Sequence, residues 1–184
     1  MAVGITEPKN ILPVAGIKLA SVAAGIKKNG NNDLVVLSFE ETANCAAVFT
    51  QNAFCAAPVT LARKHLSAAK TSKQAILALL INSGNANAGT GAAGLQNAEQ
   101  SCHWLADQLQ CSAQQILPFS TGVIGQQLPM TAMQSGITRL IPQLDETNWL
   151  PAARGIMTTD TVTKAVSRKF KIDGHEVVLS GIAK

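Results

Sequence analysis

The chain has 184 residues, of which 47% are hydrophobic and 14% charged, and its net charge is +4. That length carries one sizeable core rather than two ordinary domains, so residues 1–184 are read as one domain. The wealth of Ala, Val, Ile and Leu excludes a disordered segment, and so few charges cannot cover a lone sphere, which points to a partner subunit.

From the N-terminus, Met1 to Gly16 contains Pro8 and Pro13 and no apolar stretch flanked by basic residues, so no secretory signal is visible. No run anywhere reaches the ~18 apolar residues that would span a bilayer. A cytoplasmic protein, or an organellar one without its transit peptide, is expected. Leu34 to Phe39, Ala46 to Thr50 and Pro58 to Ala62 are short apolar runs parted by turn residues, and they predict strands of an antiparallel or mixed sheet. Ala75 to Ile81 is a continuous apolar run, read as a strand covered on both faces, and it enters the loop Asn82 to Gly91. From Gly91 to Gln110, Leu95, Ala98, Cys102, Leu105 and Leu109 recur at three- and four-residue steps and predict a helix.

Ile116 to Phe119 predicts a strand ending in Ser120-Thr121-Gly122-Val123-Ile124-Gly125. Pro129 then sits in the first turn of a helix reaching about Ile141. A third helix, from about Glu146 to Ile156, should bury Leu150 and Ala153. Val162 to Ile172 and Glu176 to Ile182 flank Asp173-Gly174, a strong hairpin signal. The order of sheet, helix, strand, helices and hairpin predicts an α/β (α+β) fold, with helices layered on mixed β-sheets rather than a regular βαβ alternation.

Basic residues group only as Lys27-Lys28, Arg63-Lys64 and Arg168-Lys169-Lys171, each read as a solvated edge. With 4% aromatics and no Tyr there is little on which bases could stack, which argues against nucleic acid, whereas a mild positive potential suits small anionic substrates. Cys45, Cys55, Cys102 and Cys111 lack metal-ligand spacing and are read as buried free thiols. His65, His103 and His175 are read as surface or core residues rather than bases, and no activated nucleophile can be named.

Three segments could carry chemistry. Gly89-x-Gly91-x-x-Gly94 matches the glycine spacing of a dinucleotide loop, but Asp107 lies on the following helix, so a structural loop is the better reading. Ser120-Thr121-Gly122 sets a hydroxyl beside a glycine N–H at a strand exit. It is either an ordinary Ser/Thr turn or a pair of donors aimed at one oxygen; in acyl transfer such a donor is worth ~2.7–4 kcal/mol. In Met157-Thr158-Thr159-Asp160-Thr161, Asp160 caps a turn, or the hydroxyls hold a substrate carboxylate or amide.

Five blocks in order, Phe49-Thr50-Gln51-Asn52 with Ala56-Ala57-Pro58-Val59, Asn82 to Asn87, Ser120 to Gly125, Met157 to Thr161 and Gly181-Ile182-Ala183-Lys184, resemble the ornithine acetyltransferase (ArgJ) family, and specifically its α chain. The resemblance implies a layered fold broadly like the N-terminal-nucleophile hydrolases. It also implies a precursor that cleaves itself before a threonine, which then begins a β chain and acts as the nucleophile, activated by its own amine. Acetyl would pass from N-acetylornithine to that threonine and on to glutamate, with no diffusible cofactor or metal, in an α2β2 heterotetramer of arginine biosynthesis. Position by position, Thr121 and Gly122 match the oxyanion hole, and Thr158 and Lys184 match substrate-binding residues. The family's Gly-Ser-Gly-Met-Ile segment and Ala-Thr junction would lie beyond Lys184. The related self-cleaving aminopeptidases or amidases, and a non-catalytic binding subunit, are the rival readings.

Overall fold

The structure, a computed structural model, describes residues 4 and 6–184; the first residues of the segment read for a secretory signal fall outside it. Strands β1 (Ile17–Val22), β2 (Leu34–Phe39), β3 (Ala78–Asn85) and β4 (Ile116–Val123) form one sheet in that order, antiparallel except for the parallel pair β3 and β4. Helix α1 (Ala57–Ser72) precedes β3, and α2 (Gly91–Leu109) makes the crossover from β3 to β4, as a parallel pair demands. Helices α3 (Met130–Leu140) and α4 (Trp149–Gly155) follow, then a separate hairpin of β5 (Lys164–Ile172) and β6 (His175–Ala183). Helices on mixed sheet are therefore the observed architecture, with a single strand-helix-strand crossover within it.

The pleat sorts the residues of the sheet onto two faces, and a third cluster packs Ala62, Leu66 and Ala69 of α1 with Ile76 and Leu117. Ala20, Val22, Leu34, Val36, Ala78, Leu80 and Ile116 point to the face where α2 and α3 bring Cys102, Leu105, Met133, Ile137 and Leu140. Leu19, Val35 and Leu37 point to the other face, against Trp149, Ala152 and Ile156 of the α4 region, with Ala165 and Ile182 of the hairpin packed at its margin. Because β1 and β2 are covered on both sides, their sequences carry no alternation of apolar and polar residues.

Two strand expectations are corrected. Pro58 to Ala62 lies inside α1, where Pro58, Leu61, Ala62, His65, Leu66 and Ala69 form one buried stripe and a proline occupies the first turn. The five-residue run was too short to show that stripe. Ala46 to Thr50 has no regular structure. It is held from α1, where Arg63 donates to the Thr50 carbonyl at 2.9 Å and lies 5.5 Å from the Phe49 ring centroid. The third helix is shorter than expected and buries Trp149 in place of Leu150, though Ala153 is buried as expected. The hairpin turn falls at Asp173-Gly174, both at positive φ (49° and 82°), the two-residue form that suits strand twist. His65 is a core residue whose Nδ1 meets the Ile116 carbonyl at 2.8 Å. Of the four free cysteines only Cys102 is fully buried; the other three are half-buried. Among the described residues no helix is long and apolar enough to cross a membrane.

Candidate active site

The residues expected to form an oxyanion turn, Ser120 to Gly122, are instead part of the end of β4, where they pair with the end of β3. The parallel register pairs Asn82 with Ser120, Ser83 with Thr121 and Gly84 with Gly122, and it becomes irregular at Gly84 and Asn85. Paired residues of parallel strands share a face and successive residues alternate, so the neighbouring hydroxyls at this strand end point to opposite sides. Ser120 points to the α2 side and donates to Asn82 Oδ1 at 2.5 Å. Thr121 shares the α4 side with Ser83. Geometry thus separates the two hydroxyls, both half-buried: that of Ser120 is taken up by Asn82, while Thr121 lies on the opposite face of the sheet, where Phe119 is 37% exposed.

Gly122 is required by its surroundings. Its φ is +136°, and a Cβ there would overlap the backbone of Gly84 and Asn85. Gly84 has φ +101° and packs against Ile26 and Lys27. The two strands approach here more closely than any side chain would allow, which fixes the peptide between Thr121 and Gly122.

The Asn-rich loop is a brace for this strand end. Asn82 Nδ2 donates to the Asn85 carbonyl at 2.8 Å, and Asn85 Nδ2 to the carbonyls of Gln126 and Gln127 at 3.2 and 3.1 Å. Asn87, fully buried at φ 45°, donates from Nδ2 to the Gly94 carbonyl at 2.8 Å and accepts the Thr90 hydroxyl at 2.8 Å. A Cβ on Gly94 would overlap Thr90 Oγ1. The third glycine of the dinucleotide-like spacing therefore lets the helix close onto the loop's own side chains, which leaves no cradle there for a phosphate.

The second group of expected residues lies just after α4. Thr158 and Asp160 line a cavity of about 560 Å³ together with Lys27, Arg154, Met157 and Thr161. The Asp160 side chain does not cap the turn that follows it but reaches back along the chain. Its carboxylate accepts the Thr158 N–H at 3.3 Å and pairs with Lys164 and, at 3.3 Å, with Lys184. The Lys164 ammonium, with help from the Thr158 N–H and Lys184, holds the Asp160 carboxyl down at about 2 even though burial opposes it. Lys184, at the end of β6, is thereby brought to Thr158, 26 positions earlier in the chain.

A link joins the two groups, and it runs through Ser83, Lys27 and Gly155, to none of which the sequence assigned a role of its own. Ser83, the partner of Thr121, donates from Oγ to the Gly155 carbonyl at 2.5 Å, and Lys27 Nζ donates to the same carbonyl at 3.2 Å. Gly155 ends α4, three residues before Thr158. Lys27, read as half of a solvated pair, also packs on Gly84, and burial pulls its ammonium below the usual lysine range, with Asp33 opposing and Lys184 adding to the shift. Asp33 is 1% exposed and its carboxylate accepts the backbone N–H groups of Ala24, Gly25, Ile26 and Lys27 at 2.6 to 3.2 Å, which sets the loop carrying Lys27. These bonds span 128 positions in the case of Lys27, and no local pattern signals them.

A mixed sheet that closes two glycine backbones against each other thus lies next to a pocket that carries both signs of charge, Lys27 and Arg154 with Glu7 and Asp160. The ArgJ family model matches residues 18–184, and the chain belongs to the ArgJ family. The arginine biosynthesis bifunctional protein ArgJ of Methylococcus capsulatus is 49% identical over 174 residues, which are 95% of this chain and 41% of that protein. The protein of the same name from Pseudomonas fluorescens is 47% identical over all 184 residues, 44% of its length. The chain thus spans less than half the length of these curated relatives. The fold is that of solved ArgJ structures. The crystal structure of the Bacillus halodurans ArgJ protein superposes with a TM-score of 0.81 at 29% identity, covering 92% of this chain and 86% of that one. The ornithine acetyltransferase of Mycobacterium tuberculosis, solved in complex with ornithine, gives 0.82 at 32% identity, covering 95% and 90%.

Proposed function

We propose that residues 1–184 are a single-domain α portion of an acetyltransferase that moves acetyl from N-acetylornithine to glutamate in arginine biosynthesis. Its nucleophile is the N-terminal threonine of a β chain freed from the same precursor by self-cleavage. The two chains pair as an α2β2 heterotetramer in the cytoplasm. The observation that carries this reading is the joining of the strand end at Thr121-Gly122 to the Thr158-Asp160-Lys184 cluster through Ser83, Lys27 and Gly155. Family membership and the names of the relatives supply the substrates.

In the reaction the β-chain threonine hydroxyl adds to the acetyl carbonyl while its own amine takes the proton. The carbonyl oxygen becomes an oxyanion, and the Thr121 hydroxyl and Gly122 N–H donate to it. Collapse breaks the amide bond, the proton passes to the leaving nitrogen, and ornithine departs, leaving an acetyl ester. The glutamate amine then attacks that ester and the same donors serve again. Lys184 supplies a positive charge for the substrate carboxylate, and Thr158 a hydrogen bond that orients it. The donors must not move as charge develops, and the Gly84–Gly122 approach holds their peptide by backbone packing alone. The open sheet surface around Thr121 and Phe119 is where a β chain would bring its threonine.

Incubating the complete two-chain protein with acetylornithine and glutamate tests the reading. Formation of both ornithine and N-acetylglutamate is expected, with no activity from residues 1–184 alone. Release of acetate without transfer would favour an amidase of the related self-cleaving fold. Replacing acetylornithine by acetyl-CoA in the same assay tests for the second activity that the word bifunctional assigns to the relatives.

A further inference from the structure

The pair of substrate-binding positions expected from the family shares one neighbour to which nothing yet gives a role. Asp160 touches both: it accepts the Thr158 N–H at 3.3 Å and pairs with Lys184 at 3.3 Å. Its side chain is 11% exposed, against 28% for that of Lys184, so the carboxylate is the fixed member and the lysine the mobile one. Lys164 pairs with its other oxygen and ties it to β5. Without an anion between them, the Lys164 and Lys184 ammonium groups would repel each other, and the long stem of Lys184 would sample many rotamers.

We infer that Asp160 is a positioning residue, which anchors the Lys184 ammonium beside Thr158 so that it meets the substrate carboxylate in one place. An ammonium has three protons, so the anchor leaves donors for the substrate. Two effects compete when the anchor is removed. The pocket gains a positive charge, which would draw in anionic substrate at long range, but Lys184 loses its place. Long-range attraction to a half-exposed pocket is screened at physiological salt, whereas misplacement of a short charge-assisted hydrogen bond is not, so loss of position wins.

This inference rests on the acetyl-transfer reading above, and the test separates the two. Acetylornithine is compared with N-acetyl-1,4-diaminobutane, the same donor without its carboxylate, in the complete two-chain protein. Asp160→Asn keeps an acceptor for the Thr158 N–H and removes the charge. It is expected to raise the KM for acetylornithine by about tenfold with kcat within about twofold, at both low and high salt, while kcat/KM for the carboxylate-free donor changes by less than about twofold. An unchanged or lowered KM for acetylornithine overturns the inference, as does an equal loss on both donors, which would mark a merely structural role. If Asp160→Asn does not yield folded, cleaved protein, Asp160→Glu replaces it: this variant keeps the charge but moves it by one methylene, and the same loss confined to acetylornithine is expected. Failure of the unaltered protein to transfer acetyl from acetylornithine would instead sink the underlying reading.

Discussion

The β3–β4 strand end and the pocket beyond α4 are built from opposite materials. At the strand end the geometry is held by backbone and by neutral amides: Gly84 against Gly122, with Asn82, Asn85 and Asn87 each donating to a main-chain carbonyl. In the pocket it is held by charges on long side chains, with Asp160 among Lys164 and Lys184, and Arg154 paired with Glu7 at 2.9 Å. A developing oxyanion is best met by donors that need no reorganisation, whereas two substrates of different shape are better met by side chains that can adjust. Under the proposed function, the contrast would follow the division of labour between stabilising a transition state and recognising substrates.

The largest effect expected of a single change is at Gly122. A methyl group there meets backbone, which cannot step aside, at a φ that L-residues rarely adopt. Gly122→Ala should abolish measurable transfer, a loss of at least about a thousandfold, and weaken the fold by about 2 kcal/mol in denaturant unfolding. Retained activity would mean that the close approach is incidental. Next comes the contrast between the adjacent hydroxyls. Thr121→Ala should lower kcat by about a hundred- to a thousandfold with the unfolding midpoint unchanged, whereas Ser120→Ala, which leaves buried Asn82 short of a partner, should cost about 1–2 kcal/mol of stability and leave the rate within about tenfold. The opposite pattern would reassign the donor.

Only part of the strand end was legible beforehand. Short polar residues and glycines after each apolar run read as a loop or turn, whereas β3 and β4 run on through them to Asn85 and Val123 because they pair with each other there; the five family blocks nevertheless singled out Thr121, Gly122, Thr158 and Lys184. Which of Ser120 and Thr121 turns toward Asn82 could not be read, because it depends on pairing with β3, which only the folded sheet fixes. Helix α1 was missed since a short apolar run reads alike in both periodicities. Strand β1 was missed because Leu19 and Ala20 are both buried, on opposite faces, and give no alternation. Lys27 and Gly155 owe their place to contacts between distant segments, and Lys27 next to Lys28 has the appearance of any surface pair.

A smaller effect sharpens the charged half. The Asp160 carboxyl lies below its ordinary value of 3.8, at about 2, so its pairing adds stability that is full above pH 3.8 and is lost as pH falls through about 2. The difference in unfolding midpoint between the unaltered protein and Asp160→Asn should accordingly be constant near neutrality and shrink toward zero as pH approaches 2. A difference that persisted there would show that packing, not charge, holds the cluster. The smallest effect is at Cys102, whose thiol burial pushes up to about 12: it should resist alkylation at neutral pH in the folded protein and react once the protein is unfolded.

The central claim is that this chain supplies the donors while another supplies the nucleophile. Intact-mass measurement of the complete protein, quenched in acid after mixing with acetylornithine in the absence of glutamate, tests it directly. An added acetyl group of about 42 Da should appear on the second chain, one beginning with threonine, and never on residues 1–184, and Thr121→Ala should slow its appearance by the same factor as turnover. Acetyl bound to this chain, or turnover with neither chain acetylated, would contradict the account.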